Sequence, residues 1–136
     1  FEMSTATIGH IGDSRAYLLR DGQLTQLTED HTVAAEYVAM GQMGPEEAAT
    51  HPQRHMLTRT LGLTRFVNVD EVKVDVVTGD RFLLCSDGLT EMVPDDVIAD
   101  IVGSRTPEEA VWELVEQAND AGGVDNITVC VIEAVD

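Results

Sequence analysis

The 136 residues of this chain suffice for one domain with its own core, since 43% of them are apolar. Eight basic residues stand against 25 acidic ones, and the net charge of −17 argues against nucleic acid and anionic membranes as partners because the attraction to phosphate would have the wrong sign. Divalent cations are the natural counterpart of such a charge. No apolar run approaches the length of a membrane span and no signal peptide is visible, so we expect a cytoplasmic protein with no membrane segment.

The first 28 residues predict three consecutive antiparallel strands. Residues 3–11 are rich in β-branched types, and Gly12-Asp13-Ser14 separates them from a second apolar run at residues 15–19. Asp21-Gly22 then precedes a third run at residues 24–27, and this dipeptide is typical of a tight hairpin.

The segment 31–56 differs from the strands around it. A short helix is predicted for residues 32–40, and Pro45 marks the start of a second one, with acidic residues in its first turn. Three of the four histidines lie in this segment, among small and polar residues. We interpret it as a mobile flap, with an ordinary surface helical hairpin as the alternative.

The second half of the chain alternates strand and helix signals. Residues 66–77 alternate valine with polar residues, and residues 82–85 predict a strand buried on both faces. One helix starts at Pro94 and ends at Gly103, and Thr106-Pro107-Glu108-Glu109 is a capping box that starts the next. Residues 127–132 predict a closing strand.

Both cysteines, Cys85 and Cys130, lie in apolar strand-like runs. Two cysteines make no disulfide framework for a secreted domain of this size, so we expect buried, reduced thiols. Neither thiol has a neighbour that would lower its pKa, which argues against a cysteine nucleophile.

Three aspartates share one structural context. Asp13 and Asp87 follow predicted strands, and Asp125 precedes one. If the two strands before the first two aspartates run opposite to the strand after the third, all three carboxylates meet at one rim of a sheet. Oxygen ligands without a supporting Cys or His pair favour Mg²⁺ or Mn²⁺ over zinc. Carboxylates this close together either bind a cation or have raised pKa values.

Five motifs occur in order over nearly the whole chain: Gly12-Asp13-Ser14-Arg15, Leu27-Thr28-Glu29-Asp30-His31, Leu57-Thr58-Arg59-Thr60-Leu61-Gly62, Cys85-Ser86-Asp87-Gly88-Leu89 and Asp125-Asn126-Ile127-Thr128-Val129. Together they resemble the metal-dependent PP2C-type protein serine/threonine phosphatases, particularly the bacterial members. The resemblance covers only the later part of that family's catalytic domain. The family's early segment is missing, with its phosphate-gripping Arg, its Asp-Gly-His-Gly-Gly motif and the nearby His proposed as general acid. We therefore expect residues 1–136, which begin without an initiator at Phe1, to be the later portion of a single phosphatase catalytic domain.

The resemblance implies an α+β fold, a β-sandwich of two antiparallel sheets flanked by helices in the order α-β-β-α, here incomplete at the N-terminus. It implies that Asp87 and Asp125 hold the first catalytic metal, and that Asp13 together with Asp87 holds a third one. His55 falls where some bacterial members place a flap residue near that third site. His55 and Arg59 are accordingly assigned to substrate or flap contacts.

The activity that the resemblance implies is hydrolysis of phosphoserine and phosphothreonine in proteins by a metal-activated water, with two or three Mn²⁺ or Mg²⁺ ions as cofactors. The implied partners are phosphoproteins and a serine/threonine kinase or its substrates.

Two other functions remain open from the sequence. A catalytically inactive fragment would serve as a cation-binding or regulatory interaction module, which the absence of the bridging Asp and of the phosphate-gripping Arg favours. A calcium-binding structural domain fits the charge but not the spacing, since no Asp-x-Asp-x-Asp-Gly loop occurs. We expect Asp30 and His31 to cap the following helix or to join the flap to the sheet, and Asn126 to orient its loop or to act as a plain turn residue.

Overall fold

The computed structural model describes residues 4–136, so that Phe1, Glu2 and Met3, where the first predicted strand begins, lie outside the described residues. The strands are β1 (Thr5–His10), β2 (Arg15–Arg20), β3 (Gln23–Gln26), β4 (Asp70–Asp75), β5 (Arg81–Cys85) and β6 (Val129–Glu133). The helices are α1 (Val33–Ala39), α2 (Pro45–Thr50), α3 (Asp87–Thr90), α4 (Asp95–Ser104) and α5 (Pro107–Asp120).

The strands form two antiparallel sheets. One consists of β1 and β4, and the other has the strand order β3-β2-β5-β6. Leu18 and Phe82 of the larger sheet pack with Ala6 and Val74 of the smaller one, which fills the space between the two sheets. The predicted fold, two antiparallel sheets flanked by helices, is confirmed.

The opposite face of the larger sheet is covered by α3, α4 and α5. Tyr17 and Leu83 alternate along their strands with the residues that face the smaller sheet, and they pack against Leu89, Ile98 and Leu114. Because both faces of β2 and β5 are covered, these strands have nearly continuous apolar sequences. The predicted capping box at the start of α5 is present, with the Thr106 hydroxyl accepting the Glu109 N–H.

The pairing predicted for the first three strands is half right. β2 and β3 form the expected hairpin, with φ values of 52° at Asp21 and 78° at Gly22. β1 does not pair with β2, however, but with β4 in the other sheet, over the register from Thr5 opposite Asp75 to His10 opposite Asp70. The turn at residues 11–14 therefore carries the chain from one sheet to the other.

Four finer predictions are wrong. The strand predicted over 66–77 is limited to β4, and α4 continues through Gly103. Cys130 is exposed rather than buried, and Leu84, its register partner on β5, is 38% exposed, so that β5 is not buried on both faces throughout. Both side chains lie on the face of the larger sheet that β1 and β4, among the described residues, cover only in part. Among residues 4–136, no helix combines the length and the apolar character that crossing a bilayer requires.

Candidate metal centre

Asp13 and Asp87 face the same cleft, which has a volume of about 1010 Å³. Asp13 lies in the turn between β1 and β2, and Asp87 is the first residue of α3, separated from the end of β5 only by Ser86. Burial and the charge of Asp87 together raise the pKa of the Asp13 carboxyl, and the charges of Asp30 and Glu91 add to the effect. The protein thus concentrates negative charge at a partly buried point, which is the electrostatic condition for binding a cation.

Asp125 lies in the loop before β6 and is exposed, with its Oδ1 accepting the N–H of Asn126 over 2.7 Å. This loop is fastened to the start of α3. The Ser86 N–H donates to the Thr128 carbonyl over 3.0 Å, and the Thr128 N–H donates to the Ser86 hydroxyl over 2.9 Å. Within the described residues, Asp125 contributes to no group of three ligand atoms lying within 4.8 Å of one another. The structure therefore brings Asp13 and Asp87 together and holds the loop of Asp125 beside them.

His55 reaches this centre from the segment after α2. Its Nδ1 lies 2.7 Å from Oε1 of Glu91, and these two residues form a group with Asp87 whose ligand atoms lie within 4.8 Å of one another. Glu91 was missed from the sequence. It follows Asp87 by four residues, and this spacing, which brings side chains to one face of a helical turn, could have identified it.

Arg59 lines the same cleft, but its guanidinium group is bound by Asp70, with Nη1 2.8 Å from Oδ1. Asp70 also accepts a hydrogen bond from His31 over 2.7 Å. No local pattern predicts this network, because β4 and the segment before α1 are far apart in the sequence.

Asp30 and His31 join the flap to the larger sheet, which is one of the two roles expected from the sequence. Asp30 holds the guanidinium group of Arg15 on β2 by two nitrogen atoms, at 2.9 and 2.8 Å, which raises the pKa of Arg15 despite its burial. The carbonyl of His31 accepts the N–H of Thr58 over 2.8 Å. The alternative role, capping of α1, belongs to Thr32, whose hydroxyl accepts the Ala35 N–H.

Cys85 lies close to the site at the end of β5, and burial raises the pKa of its thiol to about 11. A thiol of this kind stays protonated at neutral pH and is a poor nucleophile. The carboxylate oxygens that line the cleft are instead of the kind that suits hard divalent cations such as Mg²⁺ and Mn²⁺.

Known proteins share both the sequence and the fold of the chain, although no family model matches it. The serine/threonine phosphatase stp of Listeria welshimeri is 44% identical over 131 residues, which are 96% of this chain and 52% of the relative. The crystal structure of the Mycobacterium tuberculosis serine/threonine phosphatase PstP/Ppp superposes with a TM-score of 0.95 at 41% sequence identity. The match covers 100% of this chain and 57% of the PstP/Ppp chain. The structure of the PstP catalytic domain in complex with two manganese ions has a TM-score of 0.89 at 40% sequence identity. This match covers 100% of this chain and 56% of the PstP chain.

The chain thus spans about half the length of the stp relative and of both PstP structures. Both the sequence matches and the structural superpositions extend over nearly the whole of this chain. The resemblance inferred from the five motifs is confirmed: this chain is homologous to about half of a bacterial PP2C-type serine/threonine phosphatase.

Proposed function

We propose that this chain forms the later portion of a phosphatase catalytic domain that hydrolyses phosphoserine and phosphothreonine in proteins, with Mn²⁺ or Mg²⁺ as cofactor. The observation that carries the proposal is the pair of Asp13 and Asp87 in one cleft, where burial and like charge raise the pKa of Asp13. A divalent cation relieves that repulsion and makes the acidic rim acceptable to a phosphate dianion. The activity of the relatives and the manganese ions bound by PstP support it.

In this proposal Asp87 and Asp125 hold the catalytic metal, and Asp13 joins Asp87 at a further ion, so that two or three ions are bound. When bound, the ions supply an activated water and neutralise charge on the phosphoryl group. The hydrogen bonds between Ser86 and Thr128 hold the start of α3, with Asp87, next to the loop that contains Asp125. That arrangement reduces the reorganisation needed when a cation enters.

The segment with α1 and α2 acts as the flap in this proposal. His55 extends from it to Glu91 and Asp87, so its position is sensitive to the charge of the metal centre. Arg59 lines the cleft from the same side and can approach a phosphorylated substrate only by leaving Asp70. A serine/threonine kinase or its substrates as partners, and a cytoplasmic location, stay predictions.

The test is hydrolysis of a phosphothreonine peptide by the protein as its gene encodes it, with and without Mn²⁺. We expect turnover only with the ion. Asp87→Asn is expected to lower kcat/KM by more than about 100-fold, since changes to groups that merely support metal ligands already reach that size. Asp120→Asn, an exposed change of the same charge at the end of α5, is the matched control.

Activity that survives Asp87→Asn, or that needs no divalent ion, contradicts the proposal. Binding of Mn²⁺ without any turnover would instead identify a cation-binding module. Calorimetric titration of the same two variants with Mn²⁺ separates these outcomes.

A further inference from the structure

A second cluster of side chains lies next to the metal centre and contains none of its aspartates. His10, His31 and Asp70 have ligand atoms within 4.8 Å of one another, and both histidines are buried. Two imidazoles and a carboxylate are a common ligand set for transition metals. The protonation of the rings decides whether this cluster binds a metal ion.

The backbone of Gly12 determines where the proton on His31 lies. The Gly12 N–H donates to Nδ1 of His31 over 3.0 Å, and a ring nitrogen that accepts a hydrogen bond carries no proton. The proton of the neutral ring is therefore on Nε2, which lies 2.7 Å from Oδ2 of Asp70 and donates to it. Nε2 then has no lone pair for a metal ion, so the cluster is a hydrogen-bond network.

The network holds the turn on both sides of Asp13. Gly12 and His31 exchange two hydrogen bonds, because the His31 N–H also donates to the Gly12 carbonyl over 2.8 Å. Beyond Asp13, Nε2 of His10 lies 2.7 Å from the carbonyl of Ser14 and donates to it. The sheets do not fix this turn, since β1 and β2 belong to different sheets. Gly12 itself has a φ of 107°, which only glycine adopts readily.

Asp70 in turn holds His31 in the tautomer that the Gly12 N–H requires. Hydrogen bonds from His31 and Arg59 lower the pKa of Asp70, which keeps its carboxylate ionised as an acceptor. Each oxygen has one partner, since Oδ2 faces His31 and Oδ1 accepts from Arg59 over 2.8 Å. A carboxylate that orients an imidazole in this way is a familiar support for catalytic and metal sites.

We propose that His31 is a positioning residue for Asp13: its unprotonated Nδ1 fixes the Gly12 peptide, and with it the direction in which Asp13 presents its carboxylate to a cation. The inference rests on the proposed function, because it requires Asp13 to be a metal ligand. It also connects the metal centre to the flap, since His31 is the first residue of the flap segment 31–56 and its N–H donates to the carbonyl of Gly12.

The tautomer can be measured without any metal. In protein labelled with nitrogen-15, NMR correlation spectra at neutral pH distinguish a protonated from an unprotonated ring nitrogen. We expect a proton on Nε2 of His31, none on Nδ1, and a scalar coupling across the hydrogen bond from Gly12. A proton on Nδ1, or the absence of this coupling, overturns the inference whatever the outcome for phosphatase activity.

Two substitutions separate the acceptor from the donor of His31. Asn carries its side-chain oxygen on Cγ, the atom to which Nδ1 is bonded in His, so His31→Asn keeps an acceptor for Gly12. His31→Gln places its amide one atom further out, and keeps a donor for Asp70 while losing that acceptor. We expect His31→Gln to weaken Mn²⁺ binding by about tenfold or more, as for other residues that orient metal ligands, and His31→Asn to bind nearly as well as the wild type.

A purely structural role for His31 predicts instead that both variants lose stability and that Mn²⁺ affinity follows stability. The double variant with Asp13→Asn provides the decisive comparison. If His31 acts through Asp13, adding His31→Gln to Asp13→Asn causes no further loss of Mn²⁺ affinity. A further loss of the same size overturns the inference. If the wild type binds no Mn²⁺, the proposed function fails, and the NMR measurement alone decides on His31.

Discussion

The backbone of Gly88 lies directly against the carbonyl oxygen of Asn126. A methyl group at Gly88 would overlap that oxygen and also crowd the side chain of Ile127. Gly88 follows Asp87 in α3, and Asn126 follows Asp125, so this contact sets the separation between the two carriers of the proposed catalytic metal. The glycine of the Asp-Gly pair is required by close approach of another backbone, and not by a turn.

Replacing this glycine is therefore expected to separate α3 from the loop that contains Asp125 and Asn126. Gly88→Ala is expected to abolish Mn²⁺ binding measured by calorimetry, and to reduce the free energy of unfolding in urea by about 1–3 kcal/mol, as overpacked sites do. Gly44→Ala is the control, because Gly44 has ordinary backbone angles and nothing lies within 4 Å of the added methyl group. Wild-type metal affinity in Gly88→Ala would show that the contact does not set the site.

The raised pKa of Asp13 predicts that the wild type and Asp13→Asn exchange their order of thermal stability when metal is added. A carboxyl group whose pKa is higher in the folded state stabilises the fold below its unfolded pKa, and this contribution is lost as the pH rises through the folded value. At neutral pH without metal, Asp13→Asn should therefore raise the melting temperature. With excess Mn²⁺ the order should reverse, since only the wild type gains the full binding energy.

Thermal melts of the wild type and Asp13→Asn, each with EDTA and with Mn²⁺, measure this exchange of order. The same order under both conditions would contradict a metal at Asp13.

The lowered pKa of Asp80 predicts how the free energy of unfolding falls at acidic pH. Its buried carboxylate accepts hydrogen bonds from Arg20 and from the Val77 N–H, and these contacts hold the pKa of Asp80 below its ordinary value of 3.8. The stability from Asp80 is present above the unfolded pKa and is lost as the pH falls through the folded one.

Asp80→Ala leaves the Val77 N–H without its acceptor and should reduce the free energy of unfolding at neutral pH by about 1–3 kcal/mol. The difference from the wild type should shrink towards pH ~3, which urea titrations across that range would detect. Glu113→Ala, which removes an ion pair with Arg105 on the surface, is expected to change far less. A pH-independent difference between Asp80→Ala and the wild type would contradict the assignment.

The two cysteines should differ in reactivity. Burial raises the pKa of Cys85 to about 11, whereas Cys130 is exposed. Iodoacetamide at neutral pH should modify Cys130 in the native 136-residue chain and reach Cys85 only after unfolding. Mass spectrometry of the digested protein gives the extent at each site. Fast native labelling of Cys85 would show that the end of β5 opens.

Several elements could be predicted from neighbouring residues alone. The hairpin at Asp21-Gly22 has the positive φ values that this pair allows, and the α5 capping box forms between residues three positions apart. Asp13, Asp87 and Asp125 could be grouped because each lies next to a predicted strand, and the five motifs then implied which metal each one holds. Glu91 was missed although its spacing from Asp87 offered a signal.

What the sequence determined was thus the kind, order and approximate bounds of the elements, because turns, caps and apolar periodicity depend on residues within a few positions of one another. Only the tertiary structure decided that β1 pairs with β4, that Gly88 meets Asn126 and that His31 accepts a hydrogen bond from Gly12. These contacts join residues 19 to 70 positions apart. They are selected by how the two sheets and the helices pack together, and local propensity has no influence on that choice.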